Sequence, residues 1–175
     1  PSTGEIDKYK ARLVALGNQQ DASSYQEISS NTARGSSVKL LISLQAALGC
    51  ESMVLDVKGA YLKSKIDEDS DEKLYIRLPN GQIKKLKRYL YGLKQAGKKW
   101  QDNISSFLLG AGYRATVDPL VFTKKIGDKF IAMSIHVDDF YVISNNNDML
   151  LSLYNDLTEC YGNVTRNMGD TVEYI

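Results

Sequence analysis

The chain has 175 residues, a formal net charge of +1 and an ordinary globular composition, with 43% hydrophobic and 25% charged residues. This length predicts one domain with a real core, and the near-neutral charge means that any nucleic-acid binding must come from local patches. Because the chain has no apolar run approaching about 18 residues and no signal-peptide pattern, we expect a soluble intracellular protein.

The first third of the chain predicts a strand, a loop and a helix. Loose alternation over residues 8–16 suggests a strand, and the polar stretch 17–34 is typical of a loop. The helix follows from Ser36, a plausible N-cap, to Gly49, a plausible stop. Because apolar residues cover nearly the whole circumference of this helix, we expect it to be buried.

The middle of the chain predicts a small hairpin. The acidic run 67–72 is typical of a solvated loop, since it shows no metal-ligand spacing. Strands over 74–78 and 82–88 flank Pro79-Asn-Gly81, a strong turn signal.

The second half predicts two more helices and further strands. Residues 91–100 lead into a predicted helix that ends at Gly110 and Gly112, because Trp100, Ile104, Phe107, Leu108 and Ala111 recur at helical spacing. The remaining predicted elements are strands over 121–125 and 129–135, a helix over 146–161, a turn at 167–170 and a strand over 171–175.

The stretch 130–144 predicts a hairpin with two carboxylates at its tip. Two β-rich apolar runs meet at Asp138-Asp139. Adjacent carboxylates at the edge of a core repel each other, and a divalent cation relieves that repulsion. The alternative is an ordinary acidic turn facing water, because Asp is a favoured turn residue.

A second acidic strand end favours the metal-binding interpretation. The short apolar run 53–62 carries Asp56 and breaks at Gly59. If these strands are adjacent, three carboxylates meet on a rigid sheet, as a two-metal phosphoryl-transfer site requires.

Residues 82–101 carry seven basic side chains and no acidic one. This asymmetry favours a surface that follows phosphates, although a solvated basic face is the plain alternative. The seven residues are Lys84, Lys85, Lys87, Arg88, Lys94, Lys98 and Lys99.

The sequence lacks the residues that other common kinds of catalytic or metal site require. His136 is the single histidine, which excludes a multi-histidine zinc centre, and no G-x-S-x-G elbow supports a serine hydrolase triad. Cys50 and Cys160 are isolated and predict reduced thiols.

Five motifs in order make the chain similar to copia-type retrotransposon reverse transcriptases, from about residue 4 to residue 175. The motifs are Ile6-Asp-Lys-Tyr-Lys-Ala-Arg-Leu-Val14, Leu55-Asp-Val-Lys-Gly-Ala-Tyr-Leu62, Leu74-Tyr-Ile-Arg-Leu-Pro79, Tyr91-Gly-Leu-Lys-Gln-Ala96 with Trp100, and His136-Val-Asp-Asp139. The resemblance implies an α+β right-handed polymerase palm, an antiparallel sheet with helices packed on one face, plus partial fingers. It divides the chain into fingers over about 1–50 and 63–100 and palm over about 51–62 and 101–175, without thumb or ribonuclease H domain.

The resemblance also implies the site residues. Asp56, Asp138 and Asp139 would be catalytic, and with the Val57 carbonyl they would hold two Mg²⁺ ions, for which Mn²⁺ can substitute. The implied substrate-binding residues are Tyr61, which blocks a 2′-hydroxyl, Gln95 at the nucleotide, Lys10 and Arg12 at the triphosphate, and His136 beside the primer end. Met168-Gly169 matches the start of the primer-supporting stretch.

The implied partners are an RNA or DNA template with primer, deoxynucleoside triphosphates and the rest of a Pol polyprotein, with no membrane. The implied location is intracellular, in cytoplasmic virus-like particles or the nucleus. His136 replaces a more usual aromatic residue, and Ala96-Gly97 replaces a more usual Ser-Pro. The alternative function is a catalytically inactive or domesticated palm that binds nucleic acid or protein.

Overall fold

The computed structural model describes residues 9, 11–68 and 73–168, which form three α-helices and eight β-strands. The helices are α1 (Gly35–Leu48), α2 (Ala96–Gly110) and α3 (Asn147–Tyr161). The strands are β1 (Glu51–Val57), β2 (Tyr75–Arg77), β3 (Ile83–Lys85), β4 (Arg114–Ala115), β5 (Val121–Ile126), β6 (Lys129–His136), β7 (Asp139–Ser144) and β8 (Val164–Asn167). Three short 3-10 helices cover Gly17–Gln19, Ala22–Ser24 and Ala60–Lys63. Within these ranges, no helix is both long enough and apolar enough to cross a membrane.

Six strands form one antiparallel sheet in the order β4-β5-β6-β7-β1-β8. Alternation along β1 sends Met53, Leu55 and Val57 to one face, where all three are fully buried. Helices α2 and α3 cover that face with Trp100 and Leu153, among others. Each fully buried aliphatic side chain contributes about 1.5 to 3 kcal/mol, so this layer dominates stability. The predicted α+β class is confirmed.

The opposite face is covered only in part, by α1. Leu41 packs there against Tyr141 and Ile143. The expectation that α1 is buried all round is wrong, because Leu40 and Leu48 are 59% and 58% exposed. A helix that lies on one sheet buries one side, whatever the residues on its other side are.

The start of α1 also differs from expectation. The helix begins at Gly35, and its N-cap residue is Arg34. The Arg34 side chain makes no capping hydrogen bond. The carboxylate of Asp118 accepts hydrogen bonds from the Arg34 amide at 2.8 Å and the Ser37 hydroxyl at 2.7 Å. Ser36 is therefore not the N-cap, and a residue from the loop before β5 supplies the acceptor. The predicted stop at Gly49, with φ of 60°, is confirmed.

The predicted strand over 8–16 is wrong for the residues that the structure describes, which are irregular from 11 to 16. The Ala15 amide donates a hydrogen bond to the Tyr91 carbonyl at 2.7 Å, so the segment 11–16 contacts the loop before α2. A side chain at Gly92 would collide with the Ala15 carbonyl, which explains the glycine.

The hairpin β2–β3 is confirmed and forms a separate two-stranded sheet. The sequence did not predict β4 or β8, and Asn167 ends β8 instead of opening a turn. The predicted strand over 171–175, Gly169 and residues 69–72 of the acidic run lie outside the described ranges. The division into fingers and palm stays a prediction.

Candidate active site

The three predicted carboxylates meet at one end of the sheet. In the antiparallel register Asp56 of β1 lies directly opposite Asp139 of β7, and His136 of β6 lies opposite Asp139 from the other side. Opposite residues point to the same face with their Cβ atoms about 4.5 to 5.5 Å apart. The Val57 amide donates to the Asp138 carbonyl at 2.9 Å and closes this end. The predicted meeting of the two acidic strand ends is confirmed.

The turn between β6 and β7 holds the acidic pair in a strained backbone. His136 and Asp139 pair across a two-residue loop formed by Val137 and Asp138. Val137 has a φ of 57°, a left-handed conformation that costs a β-branched residue about 1 to 3 kcal/mol. The Trp100 indole Nε1 donates to the Val137 carbonyl at 2.6 Å. Helix α2 therefore fixes the turn from the core side.

The two oxygens of Asp56 have different surroundings. Oδ2 accepts a hydrogen bond from Lys58 Nζ at 2.5 Å. Oδ1 is buried and has no hydrogen-bond partner among the residues that the structure describes. A buried carboxylate oxygen without a donor is costly, so Oδ1 is a ready acceptor for a cation.

Asp139 lies in the negative field of its neighbours. Burial raises the pKa of its carboxyl, the charges of Asp138 and Asp56 raise it further, and His136 and Lys58 oppose that effect. The sheet thus holds like charges together without compensating them fully. A bound divalent cation would reverse this effect.

The carboxylates do not form a closed metal cage. Within the described ranges, no three His, Cys, Asp or Glu side chains are grouped closely enough to hold an ion by themselves. Mg²⁺-type sites commonly use one or two carboxylates and take their remaining oxygens from water and substrate phosphates. The free Oδ1 of Asp56 and the raised pKa of Asp139 fit such an open site. The predicted ligand role of the Val57 carbonyl stays a prediction.

Two tyrosine rings in tilted contact lie near Asp138. The rings of Tyr61 and Tyr91 are 4.6 Å apart at 39°. Burial raises the pKa of both hydroxyls, and the charge of Asp138 raises it further. The Arg12 guanidinium carbon lies 5.5 Å from the centre of the Tyr91 ring. Two predicted substrate-binding residues, Tyr61 and Arg12, therefore share one neighbourhood with Asp138.

Sequence reasoning missed Tyr91. It stands in one of the quoted motifs, but a tyrosine in a loop shows no spacing that marks it as part of a site. Only the contact with Tyr61 identifies it. Lys10, the other predicted triphosphate contact, lies outside the described residues.

Gln95 is held away from solvent. Its side chain is only 1% exposed, its Oε1 accepts from Gln20 Nε2 at 2.9 Å, and its Nε2 donates to the Ser24 carbonyl at 3.4 Å. It lines a cleft of about 530 Å³ together with Tyr25 and Lys98, and none of the three carboxylates lines that cleft. Its predicted contact with the nucleotide stays a prediction.

The seven predicted basic residues do not form one free surface. Lys84 and Lys85 are exposed on β3, whereas several others are engaged. The engaged residues are Lys87 near Glu68 (4.0 Å), Arg88 on two backbone carbonyls, Lys94 on the Tyr25 hydroxyl (2.9 Å), Lys98 between Asp102 (2.5 Å) and Glu27 (3.6 Å), and Lys99 over the Tyr89 ring (5.8 Å). Their predicted role in nucleic-acid binding stays a prediction.

Comparisons with known proteins bear on this geometry. The family described as reverse transcriptase (RNA-dependent DNA polymerase) matches residues 3–175. The chain is 33% identical to the retrovirus-related Pol polyprotein from transposon TNT 1-94 of Nicotiana tabacum. The matched region covers 90% of this chain and 12% of that protein. It is 30% identical to the Pol polyprotein from transposon RE1 of Arabidopsis thaliana, over 90% of this chain and 11% of that protein.

Further similarities extend to yeast. The chain is 30% identical to the transposon Ty1-BL Gag-Pol polyprotein of Saccharomyces cerevisiae, over 95% of this chain and 10% of that protein. A solved structure of apo telomerase from Candida tropicalis, truncated from its C-terminal domain, has a TM-score of 0.46 and 15% identity, covering 83% of this chain and 37% of that chain. The chain thus spans about a tenth of the length of these Pol relatives. Because the family match covers nearly every residue, the chain belongs to the reverse transcriptase (RNA-dependent DNA polymerase) family, of the copia type that its motifs indicated.

Proposed function

We propose that this chain is an RNA-directed DNA polymerase domain, which transfers a nucleotide from a deoxynucleoside triphosphate to a primer 3′-hydroxyl. The observation that carries the proposal is the strand register that sets Asp56 opposite Asp139, with Asp138 in the adjoining turn. An open group of carboxylates on a rigid sheet suits phosphoryl transfer, because the substrate phosphates complete the ligand set.

Asp56, Asp138 and Asp139, with the Val57 carbonyl, would hold two Mg²⁺ ions, or Mn²⁺ in their place. Such ions, when bound, make the primer hydroxyl more acidic and neutralise charge on the triphosphate. The chain itself contributes rigidity, since the Val57 amide and the Trp100 indole each bind a carbonyl of the acidic turn. A fixed geometry of this kind lowers the cost of aligning the reactants.

The aromatic neighbours would select the sugar. The Tyr61 ring, backed by Tyr91, would lie under the deoxyribose and exclude a 2′-hydroxyl. Arg12 and Lys10 would contact the triphosphate, and His136 would lie beside the primer end. Gln95 would reach the nucleotide only after its bonds to Gln20 and Ser24 are exchanged.

The proposed partners are an RNA or DNA template with its primer, bound in part by the basic residues around β3 and α2. The proposed context is a Pol polyprotein that supplies thumb and ribonuclease H domains. The proposed location is intracellular, in cytoplasmic virus-like particles or the nucleus. The proposed subdomains are fingers (1–50 and 63–100) and palm (51–62 and 101–175).

Primer extension on an oligo(dT)-primed RNA template with Mg²⁺ tests the proposal. We expect extension by the wild type and a loss of at least about 100-fold in Asp138→Asn, because the substitution removes a charged ligand. Asp128→Asn is the matched control, since Asp128 is exposed in the turn between β5 and β6, at the opposite end of β6 from Asp138. Equal activity of Asp138→Asn and the wild type would show that the assigned site is wrong. Inactivity of the wild type that persists after downstream residues are appended would favour the binding-module alternative.

A further inference from the structure

An open cleft of about 770 Å³ lies beside the catalytic strand end and carries four cationic side chains. They are Lys58, Lys63, Lys65 and Arg88, and none of the lining residues that the structure describes is acidic. Three of the four lie outside the basic stretch 82–101. The cleft does not include the three carboxylates.

The cleft is built from backbone contacts that hold two of the cations together. Arg88 Nη1 donates to the carbonyls of Leu62 at 3.0 Å and Lys63 at 3.3 Å, at the end of the 3-10 helix Ala60–Lys63. Lys65 and Arg88 face each other as an antiparallel bridge. Like charges directly opposite each other are destabilising unless an anion lies between them.

Most charges of this cleft have no opposite charge paired with them in the described part of the chain. Among the described residues, no carboxylate forms an ion pair with Lys63, Lys65 or Arg88. Lys58 is the exception, since its Nζ binds Asp56 Oδ2. The cleft therefore begins at a catalytic carboxylate and continues as a positive surface.

We propose that this cleft binds the phosphate backbone of a single nucleic-acid strand next to the active site. The inference rests on the proposed function, because continuity with Asp56 is what favours a nucleic acid over an acidic protein segment. The volume of about 770 Å³ lies within the range of roughly 300 to 1,000 Å³ that is usual for ligand sites, so the cleft accommodates a few nucleotides. Its one aromatic lining residue, Tyr161, is buried, so the cleft contacts phosphates and does not stack bases.

The test is the binding of a fluorescein-labelled single-stranded 20-nucleotide RNA, followed by anisotropy in EDTA at several salt concentrations. The double variant Lys63→Gln/Lys65→Gln should bind at least about 5-fold more weakly. The slope of log K against log salt should fall by about 1.4, which is about 0.7 for each lost phosphate contact. The matched control is Lys125→Gln/Lys129→Gln, which removes two exposed lysines near the far turn of the β5–β6 hairpin and should change neither value. Matching thermal melts verify that both variants fold.

The other outcomes overturn the proposal. Equal losses in both double variants would indicate an effect of net charge alone, and wild-type affinity in Lys63→Gln/Lys65→Gln would show that the cleft does not contact RNA. Weaker binding of labelled poly-glutamate, with RNA binding unchanged, would identify an acidic protein segment as the ligand. Because EDTA prevents catalysis, the binding assay does not depend on polymerase activity. A protein that fails in primer extension can therefore still show whether the cleft binds RNA.

Discussion

Single residues in the active site balance repulsion between carboxylates against nearby cations and rings. Asp139 shows the repulsion in its raised pKa, and Lys58 relieves part of it through Asp56. Tyr91 shows a different role, since its ring supports Tyr61 on one side and Arg12 on another. Tyr91 can thus position two residues, Tyr61 and Arg12, that we propose to contact the substrate.

Tyr91→Ala should weaken nucleotide selection more than turnover. Loss of an aromatic pair costs about 0.5 to 1.5 kcal/mol, so the KM for dTTP should rise about 2- to 12-fold. Discrimination against UTP should fall, because Tyr61 loses its support. Steady-state extension with the two nucleotides measures both effects.

Tyr91→Phe is the control, because it keeps the ring and removes only the hydroxyl. Tyr91→Phe should remain near the wild type in its KM for dTTP and in its discrimination against UTP. If it were as impaired as Tyr91→Ala, the hydroxyl of Tyr91 and not its ring would be the functional group.

At the scale of elements, contacts from distant parts of the chain fix the ends of strands and helices. Helix α2 holds the acidic turn through the Trp100 indole, and the loop before β5 holds the start of α1 through Asp118. Both contacts satisfy backbone groups that the local sequence leaves without partners.

Trp100→Phe should reduce both stability and turnover. The Val137 carbonyl loses its donor, which costs about 1 to 3 kcal/mol of unfolding free energy, and the acidic turn loses its anchor. Urea denaturation and the kcat of primer extension are the two measurements. Phe122→Leu is the comparison, because Phe122 is equally buried in the same core. If both variants lost kcat in proportion to stability, the turn would not depend on the indole.

Asp118→Asn should destabilise the protein at neutral pH and flatten its response to acid. Burial acts to raise the pKa of this carboxyl, but hydrogen bonds from Arg34, Ser37 and Leu120 outweigh it and hold the pKa below 3.8. A lowered pKa stabilises the folded state above the unfolded value, and that stability is lost as pH falls through the folded value.

The expected loss at pH 7 is about 1 to 3 kcal/mol of unfolding free energy, measured by urea titration between pH 7 and pH 2. The wild type should lose this contribution below about pH 4, and Asp118→Asn should not show that loss. Asp128→Asn, at an exposed position, should track the wild type throughout. A wild type and Asp118→Asn with parallel pH curves would contradict the assignment.

For the whole molecule, we expect the open carboxylate group to make stability depend on divalent cations. At ten times its dissociation constant, a cation that binds only the folded state adds about 1.4 kcal/mol, which raises the Tm of a chain of this size by about 3 to 6 °C. Asp56→Asn should abolish the increase and raise the Tm in EDTA, because it removes one of the repelling charges. A thermal melt with and without Mg²⁺ decides this, and an equal Mg²⁺ effect on both proteins would place the cation elsewhere.

The sequence by itself determined the acidic hairpin, the strand that carries Asp56 and the extent of α3. These features depend on alternation, turn residues and helical spacing, which are local and leave one solution when a single face is apolar. The family resemblance added the roles of these residues, which no periodicity contains.

Only the tertiary structure decided the side of α1 that is buried, the cap that Asp118 supplies, the pairing of β8 with β1 and the support of Tyr61 by Tyr91. It also decided that Gln95 is buried and that the basic residues divide into exposed and engaged groups. The physical reason is the same in each case. A pattern shows which side chains are apolar or charged, whereas their partners come from segments far away in the chain. Examples are Arg34 and Asp118 (84 residues apart) and Gln20 and Gln95 (75 residues apart).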